Sequence, residues 1–188
     1  MRKFCQIAVL FLVAALLNIS GNARAWKYGY SIDVSAMKAL EEASAFPVRV
    51  VKKAVMEEAY DVTEYNEPGD ALIFRVRNNS GGEISGFRLF FVAYDDEGKT
   101  KEIDSREVFS FGTEEGAPQI YSLTAEDEAI PDNSEIEFGQ AVHWKRFSGV
   151  RAIIASYTTA EGEVVDNPDF AVWRNLAAGH SSSDTELD

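Results

Sequence analysis

Apolar and polar residues alternate along most of the chain that follows Pro47, and a period of two residues is typical of half-buried β-strands. The segments ALIFRVR (71–77) and GFRLFFVAY (86–94) alternate in this way, and residues 150–158 form a third strongly apolar run. We expect one face of each strand to point inwards. The predicted core therefore comprises Leu72, Phe74, Val76, Phe87, Leu89, Phe91, Val150, Ala152 and Ile154.

Clusters of Gly, Asn, Asp and Pro separate the apolar runs and indicate turns. About seven short strands are predicted in this way. The last of them follows a turn at residues 161–163 and ends near Trp173. The pattern predicts an all-β fold, namely an antiparallel immunoglobulin-like β-sandwich over residues 47–176 with a short N-terminal helix.

That helix is predicted within residues 26–46, a helical preface whose pattern differs from the rest of the chain. Asp33 or Ser35 is suited to cap its start, and apolar residues then recur at helical spacing. The pair Phe46-Pro47 favours its end, because the residue before a proline avoids helical backbone angles.

The first 25 residues have the organisation of a secretory signal peptide. Arg2 and Lys3 precede an apolar run that is shorter than the about 20 residues needed to span a bilayer, and residues 23–25 form a small-residue cleavage pattern. We predict cleavage after Ala25 and a periplasmic or secreted mature chain without a membrane span. Residues 177–188 are predicted to be a disordered acidic tail.

Composition narrows the classes of chemistry and partner. Cys5, the single cysteine, lies in the signal peptide, so the mature chain is expected to have neither a disulfide nor a thiolate site. The chain has a net charge of −13, and such a charge repels nucleic acids and anionic lipid surfaces. We therefore expect no nucleic-acid partner.

Two polar clusters are candidates for functional loops. Residues 78–82 (NNSGG) contain a formal glycan-acceptor sequence at Asn78, and residues 95–98 (DDEG) group three acids. Asn and Gly tolerate the positive φ of hairpin turns, whereas a calcium loop needs alternating rather than consecutive oxygen donors. We interpret both clusters as turns that join strands.

Part of the chain, residues 71–99, resembles the FxLYD-like group of exported bacterial immunoglobulin-like domains. In that group an N-N-x-G turn precedes an alternating strand that ends in Y-D-x-x-G. The matching positions are Asn78, Asn79, Gly81, Phe87, Leu89, Phe91, Tyr94, Asp95 and Gly98. Residues 130–133 (IPDN) stand where a later turn would be but lack its glycine, and the helical preface has no counterpart. The resemblance implies a sandwich fold in a cell-envelope protein and brings no catalytic residues.

No enzyme is predicted, and no catalytic, cofactor-binding or metal-binding residues are assigned. His143 and His180 are the only histidines, and His143 is not accompanied by a nucleophile motif. One histidine in the strand region, without cysteine, cannot assemble a zinc site, and no phosphate-binding or dinucleotide motif occurs. A carboxylate-based hydrolase is a remote alternative, because a chain this rich in acids offers many carboxylate pairs.

The outer row of the strand at residues 86–94 is apolar where a solvated sheet face is normally polar. Large apolar patches are seldom left exposed on a monomer, so either the helical preface or segment 99–130 covers this row, or a partner does. The candidate interaction face is Phe90, Val92, Tyr94, Ile153 and Tyr157.

The expected function is that of an exported, non-enzymatic cell-envelope protein that binds another envelope protein or has a structural role. The alternative is a carbohydrate-binding module, which would stack exposed aromatic rings on sugars. The residues that would serve the two roles are shared, so the sequence alone leaves both open, together with the oligomeric state.

Overall fold

A computed structural model describes residues 29–62, 67–103, 112–114, 117–142 and 148–180. The predicted signal peptide and residues 181–188 of the predicted tail lie outside them. Within the described residues the chain forms two helices and nine strands. In chain order these are α1 (Val34–Ala43), β1 (Val48–Val62), β2 (Glu67–Asn78), β3 (Ile84–Tyr94), β4 (Thr100–Lys101), β5 (Gly112–Glu114), β6 (Ala117–Ile130), β7 (Ser134–Val142), β8 (Gly149–Thr159), β9 (Val164–Asp166) and α2 (Phe170–Ala177).

The strands form two sheets in which every described pairing is antiparallel. The three-stranded sheet has the order β1-β2-β7. The six-stranded sheet has the order β5-β6-β3-β8-β9, and β4 pairs with the end of β3. The prediction of a mostly β, antiparallel protein is therefore confirmed. No helix among the described residues is long and apolar enough to cross a membrane.

The main hydrophobic core lies between the two sheets. Phe74 of β2 and Phe91 of β3 meet across it with ring centroids 5.2 Å apart, and the Tyr121 ring of β6 stacks on Phe91 at 5.4 Å. All nine residues of the predicted core are buried in this one cluster. The alternation along the three strands thus identified the inner faces correctly.

Leu89→Ala tests this core directly. Leu89 is fully buried, and truncating a buried leucine removes apolar contacts and leaves a cavity, at a usual cost of about 2–5 kcal/mol. We expect urea denaturation to report a loss of that size. A loss below about 0.5 kcal/mol, the range of ordinary surface substitutions, would contradict the assignment of Leu89 to the core.

A second hydrophobic cluster lies on the other face of the six-stranded sheet, beneath the two helices. The predicted N-terminal helix is confirmed as α1, whose first turn is capped by Asp33: its carboxylate accepts the Ala36 N–H at 2.9 Å. The two helices are joined where α1 ends and α2 begins, because the Ser44 hydroxyl donates to Asp169 at 2.6 Å. The molecule therefore has three layers: a small sheet, a large sheet and a pair of helices.

The last predicted strand, ending near Trp173, is wrong. Strand β9 ends at Asp166, and residues 170–177 form helix α2. The chain leaves the sheet at Asn167, whose side chain donates to Ile154 O at 2.7 Å and accepts the Asp169 N–H at 2.9 Å. The intervening Pro168 has no N–H for a strand ladder. Beyond it, Trp173, Leu176 and Ala177 recur at helical spacing and are buried.

The cluster at residues 78–82 is a turn, as predicted, but it does not close a hairpin. It joins β2 to β3, which belong to different sheets. Asn78 is buried and its amide nitrogen donates to Gly82 O and Ile130 O at 2.8 and 2.9 Å, while Gly81 has a φ of 87°. The turn therefore connects the two sheets. The prediction of a hairpin turn, which was based on its Asn and Gly residues, is wrong.

Candidate functional site

Four of the five residues in the predicted interaction face lie together on the helix side of the six-stranded sheet. Phe90, Val92 and Ile153 are buried in the cluster beneath the helices, and Tyr94 packs at its margin. Phe90 is only 1% exposed. The prediction that this face is open to a partner is therefore wrong, because the protein itself covers it.

Tyr157, the fifth residue, points the opposite way and lies in the core between the sheets, where its ring contacts Phe46 at 5.5 Å. The cause is an irregularity in the pairing of β3 with β8. Arg88 pairs with Ser156 and Leu89 with Ile154, so one extra residue of β8 is accommodated between them. A bulge of this kind exchanges the two faces of the strand beyond it.

The cover is formed by both helices. From α1, Met37 is fully buried against the sheet, and from α2, Trp173 and Leu176 are buried beside it. The Phe170 ring at the start of α2 lies 4.6 Å from the Phe90 ring. The helical preface was predicted as one possible cover, and the structure adds α2, which the sequence pattern had assigned to a strand.

A partly buried charged cluster, here called the Glu41 cluster, joins all three layers and consists of Glu41, Lys53, Arg151 and Trp173. Glu41 on α1 accepts from Lys53 Nζ of β1 at 2.5 Å and lies 3.4 Å from Arg151 Nη1 of β8. Its other oxygen accepts Trp173 Nε1 of α2 and the backbone N–H of Ala152, both at 3.1 Å. One carboxylate of α1 thus satisfies donors from helix α2 and from both sheets.

The position of this cluster follows from the shortness of β9. That strand pairs only with residues 156–158 of β8, so the backbone edge of β8 is left without a strand neighbour at Ala152. Glu41 occupies that position and accepts the Ala152 N–H. Since a buried N–H without an acceptor is costly, the carboxylate replaces a missing strand.

Two opposing effects act on the pKa of Lys53. Burial lowers the pKa of the Lys53 ammonium, and the neighbouring Glu41 carboxylate opposes this by its charge and its hydrogen bond. The side chains of Glu41, Arg151 and Lys53 are 11%, 15% and 20% exposed. Sequence analysis missed this cluster. The available signal was Arg151, the one cation within the otherwise apolar strand β8.

A shallow cleft of about 20 Å³ opens beside the cluster. It lies between the end of α1, the start of β1 and the edge of β8, with Glu41, Ser44, Arg49 and Asn167 as its polar lining. A space of this size holds about one water molecule. The cleft is too small for an organic substrate.

The acidic cluster at residues 95–98 forms a turn, as predicted. The Asp95 carboxylate accepts the backbone N–H groups of Glu97 and Lys99 at 3.0 and 2.9 Å and pairs with Lys101 Nζ at 2.7 Å. These bonds lower the pKa of Asp95, that with Lys101 most strongly. The buried amide of Asn78, whose nitrogen already donates to two carbonyls, is likewise committed to the fold and is not accessible as a glycan acceptor.

Tyr30 is the one residue with a buried side-chain polar atom for which the described residues supply no hydrogen-bond partner. Its backbone is held by Thr100, which donates to Tyr30 O at 2.8 Å. Burial, with a smaller contribution from Tyr121, raises the pKa of the Tyr30 hydroxyl to about 12.

Tyr30→Phe is expected to leave stability unchanged or to raise it at pH 7, because the substitution removes a buried polar atom without breaking a hydrogen bond. The raised pKa also makes wild-type stability fall as pH rises above 10, the ordinary tyrosine value, since the unfolded state then loses the proton first. Between pH 9 and pH 11.5 the melting temperature should therefore fall less steeply with rising pH for Tyr30→Phe than for wild type. A variant less stable than wild type at pH 7 would reveal a bond to this hydroxyl.

The outer face of the three-stranded sheet is the sheet face that the described helices leave uncovered, and it carries rows of charge. Arg49 of β1 pairs in register with Arg77 of β2, and Lys52 with Arg75. These four residues are called the basic rows. They alternate with Val76 and Phe74, which point into the core.

Two of the four residues in the basic rows form ion pairs with glutamates of β7. Arg75 Nη2 donates to Glu137 at 2.8 Å, which lowers the pKa of that carboxyl, and Arg77 pairs with Glu135. Arg49 and Lys52 are exposed and make no ion pair with another described residue. The β1 side of this face therefore carries exposed positive charge on a strongly acidic protein. The Lys52 charge is partly offset by Glu137, whose pKa it helps to lower.

Exposed aromatic rings, which sugar stacking requires, do not occur among the side chains that the structure describes; those of Tyr60 and Phe138 are not among them. The large apolar side chains exposed there are Val51, Val164 and Val172. Of the three aromatic side chains in the predicted interaction face, Phe90 and Tyr157 are buried and Tyr94 is half-buried. His143 and Trp144 lie outside the described residues.

These features define a mostly β protein of two antiparallel sheets with two covering helices and a charged open sheet face. The chain belongs to a family of unknown function, DUF5780, which matches residues 72–180, more than half of its length. The matched region runs from within β2 to the residues just after α2. It leaves out α1 and β1, which carry Glu41 and Lys53.

A hypothetical protein from Peptoclostridium difficile 630, known from an X-ray structure, is similar in fold, with a TM-score of 0.50 and 14% sequence identity. The similarity covers 68% of this chain and 90% of that one. At this level of identity the likeness concerns the fold alone. A search of curated proteins finds no match.

Proposed function

We propose that this protein is an exported, non-enzymatic interaction module of the cell envelope, and that it binds a protein partner through the basic rows. The observation that carries the proposal is the contrast between the two outer sheet faces. The apolar one is closed by α1 and α2, and the open one presents Arg49 and Lys52, which are exposed and form no ion pair within 4 Å with another described residue. Unpaired charge on an open face favours recognition of a charged protein surface.

We further propose that the two sheets form an immunoglobulin-like sandwich. In such sandwiches strands A, B and E lie in one sheet, and G, F, C and C′ in the other. The order β1-β2-β7 corresponds to A-B-E, and β9-β8-β3-β6 to G-F-C-C′. This correspondence supports the proposal and is compatible with the resemblance to FxLYD-like domains, which itself stays a prediction.

A protein partner is favoured over a carbohydrate. Sugar-binding modules need flat aromatic surfaces, and the described aromatic side chains are buried or half-buried. Charged rows instead give specificity and fast association with a surface of opposite charge. Among the described side chains, none therefore offers the exposed aromatic surface that the carbohydrate-binding alternative requires.

Affinity capture tests the proposal. Immobilised wild-type protein is exposed to envelope extract beside the variant R49E/K52E, and bound proteins are identified by mass spectrometry. The matched control is Lys38→Glu, a charge reversal at an exposed position of α1. We expect a protein captured by wild type and by Lys38→Glu but lost from R49E/K52E. Binding to a glycan array, without any protein capture that depends on the basic rows, would replace this proposal with the carbohydrate-binding one.

Export is tested separately. Signal peptidase cleavage after Ala25 should give a mature chain that begins with Trp26. Intact-mass analysis of periplasmic or secreted material measures this directly. Protein that retains Met1 in those fractions would reject the signal-peptide assignment.

A further inference from the structure

Cations stand directly opposite each other in the basic rows. Arg49 pairs in register with Arg77, and Lys52 pairs with Arg75. Side chains at directly opposite positions of an antiparallel pair have Cβ atoms about 4.5–5.5 Å apart, and like charges in such a pair are destabilising. The open face of the small sheet therefore holds two unfavourable pairs, and an acidic neighbour would relieve each of them.

An irregularity in β1 produces the second of these pairs. Arg49 and Lys52 are three positions apart in the chain, whereas their partners Arg77 and Arg75 are two apart, so β1 accommodates one extra residue, Val51. With regular pairing Lys52 would point to the opposite face of the sheet, towards the core. The bulge keeps its ammonium group on the open face. Bulges re-aim side chains in this way and are over-represented beside functional sites.

Strand β7 shows which counterpart fits such a row of cations. Glu135 is in register with Arg77 and Glu137 with Arg75, and both arginines form ion pairs with these glutamates. The two acids are alternate residues of an extended strand, so their spacing of about 6.6–6.8 Å matches that of the two arginines. An extended segment with the pattern E-x-E is therefore the counterpart that this sheet already uses on one side.

The row on β1 lacks such a counterpart among the described residues. Arg49 and Lys52 are exposed and form no ion pair within 4 Å with another described residue. Their register with the arginines of β2 gives them the spacing that the glutamates of β7 match. We propose that the basic rows bind an extended segment of a partner protein in which acidic residues alternate, as in E-x-E or D-x-D, with its carboxylates on Arg49 and Lys52. This inference rests on the proposed function, because it names what the partner presents to the face proposed there.

The charge of the whole molecule sets the conditions for this binding. The chain has a net charge of −13, which repels an acidic segment at long range. At physiological salt the Debye length is about 8 Å, so distant charges are screened while side chains in contact still attract. Near 1 M salt the Debye length is about 3 Å, and exposed ion pairs weaken as well. Binding is therefore expected at physiological salt and should be lost near 1 M.

An NMR titration with synthetic peptides tests the proposal. The probe is a nine-residue peptide of threonine that carries three glutamates at alternate positions. The control has the same composition, with its glutamates separated by two threonines, so that successive acids of an extended chain lie on opposite faces. We expect the probe to shift the backbone amide signals of Arg49 and Lys52. The control should bind at least about threefold more weakly, as expected for the loss of an exposed ion pair.

Two variants should change the affinity for the probe in opposite directions. R49E/K52E places acids opposite the acidic segment and should abolish binding. E135Q/E137Q frees the arginines of β2 from their ion pairs, so the probe can engage more cations and should bind at least about threefold more tightly. Lys38→Glu, the charge reversal on α1, should bind as wild type does. Circular dichroism confirms that each variant is folded.

Three results would overturn the proposal: no binding of the probe, equal binding of probe and control, or an affinity that does not change in the expected direction in R49E/K52E and E135Q/E137Q. If the peptides fail but R49E/K52E still loses a protein that wild type captures from envelope extract, the proposed function stands and the alternating acidic segment is rejected. If R49E/K52E captures the same proteins as wild type, the proposed function is rejected as well.

Discussion

Trp173→Ala is expected to lower the free energy of unfolding by about 3–5 kcal/mol, the range observed when a buried large aromatic residue is truncated to alanine. Trp173 is fully buried between α2 and the six-stranded sheet. Its indole nitrogen donates to Glu41, so the substitution removes both packing and a hydrogen bond to the Glu41 cluster. Urea denaturation measures the loss.

The same variant should uncover the apolar outer face. With α2 loosened, Phe90, Val92 and Ile153 become accessible, and a hydrophobic dye should bind the native-state variant more strongly than wild type. Val172→Ala is the matched control, because Val172 is the preceding residue of α2 and is 36% exposed. Its cost should lie within about 0.5 kcal/mol, as for ordinary surface positions. An equal loss for the two variants would show that α2 is not the cover.

The inner faces of the central strands were predictable because they depend only on a local period. Leu72, Phe74 and Val76 point inwards by alternation, whatever β2 pairs with. Alternation fails at Tyr157, because the bulge in β8 depends on how that strand fits β3. No residue type near Tyr157 marks the extra position. A face can therefore be predicted up to the first bulge, and not beyond it.

Helix α2 was missed for a related reason. The segment from Phe170 to Ala177 is short, and its apolar residues fit a strand and a helix almost equally well. Asn167-Pro168-Asp169 decides between the two, since it ends β9 and turns the chain onto the sheet. Propensity in so short a run is a weak guide, because burial against Phe90 and Met37 determines the outcome.

The Glu41 cluster lay beyond sequence reasoning because its members are distant in the chain. Glu41 and Trp173 are 132 positions apart, and Glu41 and Ala152 are 111 apart. A period assigns a residue to a face of its own element, but it does not say which other element that face meets. The charges of Lys53 and Arg151 were visible, whereas their common partner was not.

Glu41→Gln is expected to destabilise the protein toward the lower end of about 3–5 kcal/mol, the usual cost of removing one partner of a buried ion pair. Glutamine keeps the size of the side chain and an oxygen for Trp173 and Ala152. It leaves the Lys53 ammonium and the Arg151 guanidinium without their carboxylate. The matched control is Glu42→Gln, whose side chain is 68% exposed and lies 3.7 Å from Lys38; it should cost less than about 0.5 kcal/mol.

The loss in Glu41→Gln should depend on pH in a direction that Lys53 determines. Burial already lowers the pKa of Lys53 below its ordinary value of 10.5, and removal of the opposing carboxylate lowers it further. Between the folded and unfolded pKa values the unfolded chain binds more protons, so stability rises with pH in that window. The gap between variant and wild type should therefore be largest near neutral pH and should narrow as pH approaches 10.5.

A second substitution separates the charge from the shape of the site. Lys53→Met removes the ammonium and keeps an unbranched apolar chain in its place, and replacing a buried pair with apolar residues is often close to neutral. Glu41→Gln/Lys53→Met should recover part of the stability that Glu41→Gln loses and should not show the narrowing near pH 10.5. A double variant as unstable as the sum of the two single variants would mean that Glu41 acts through its hydrogen bonds to Trp173 and Ala152 rather than through Lys53.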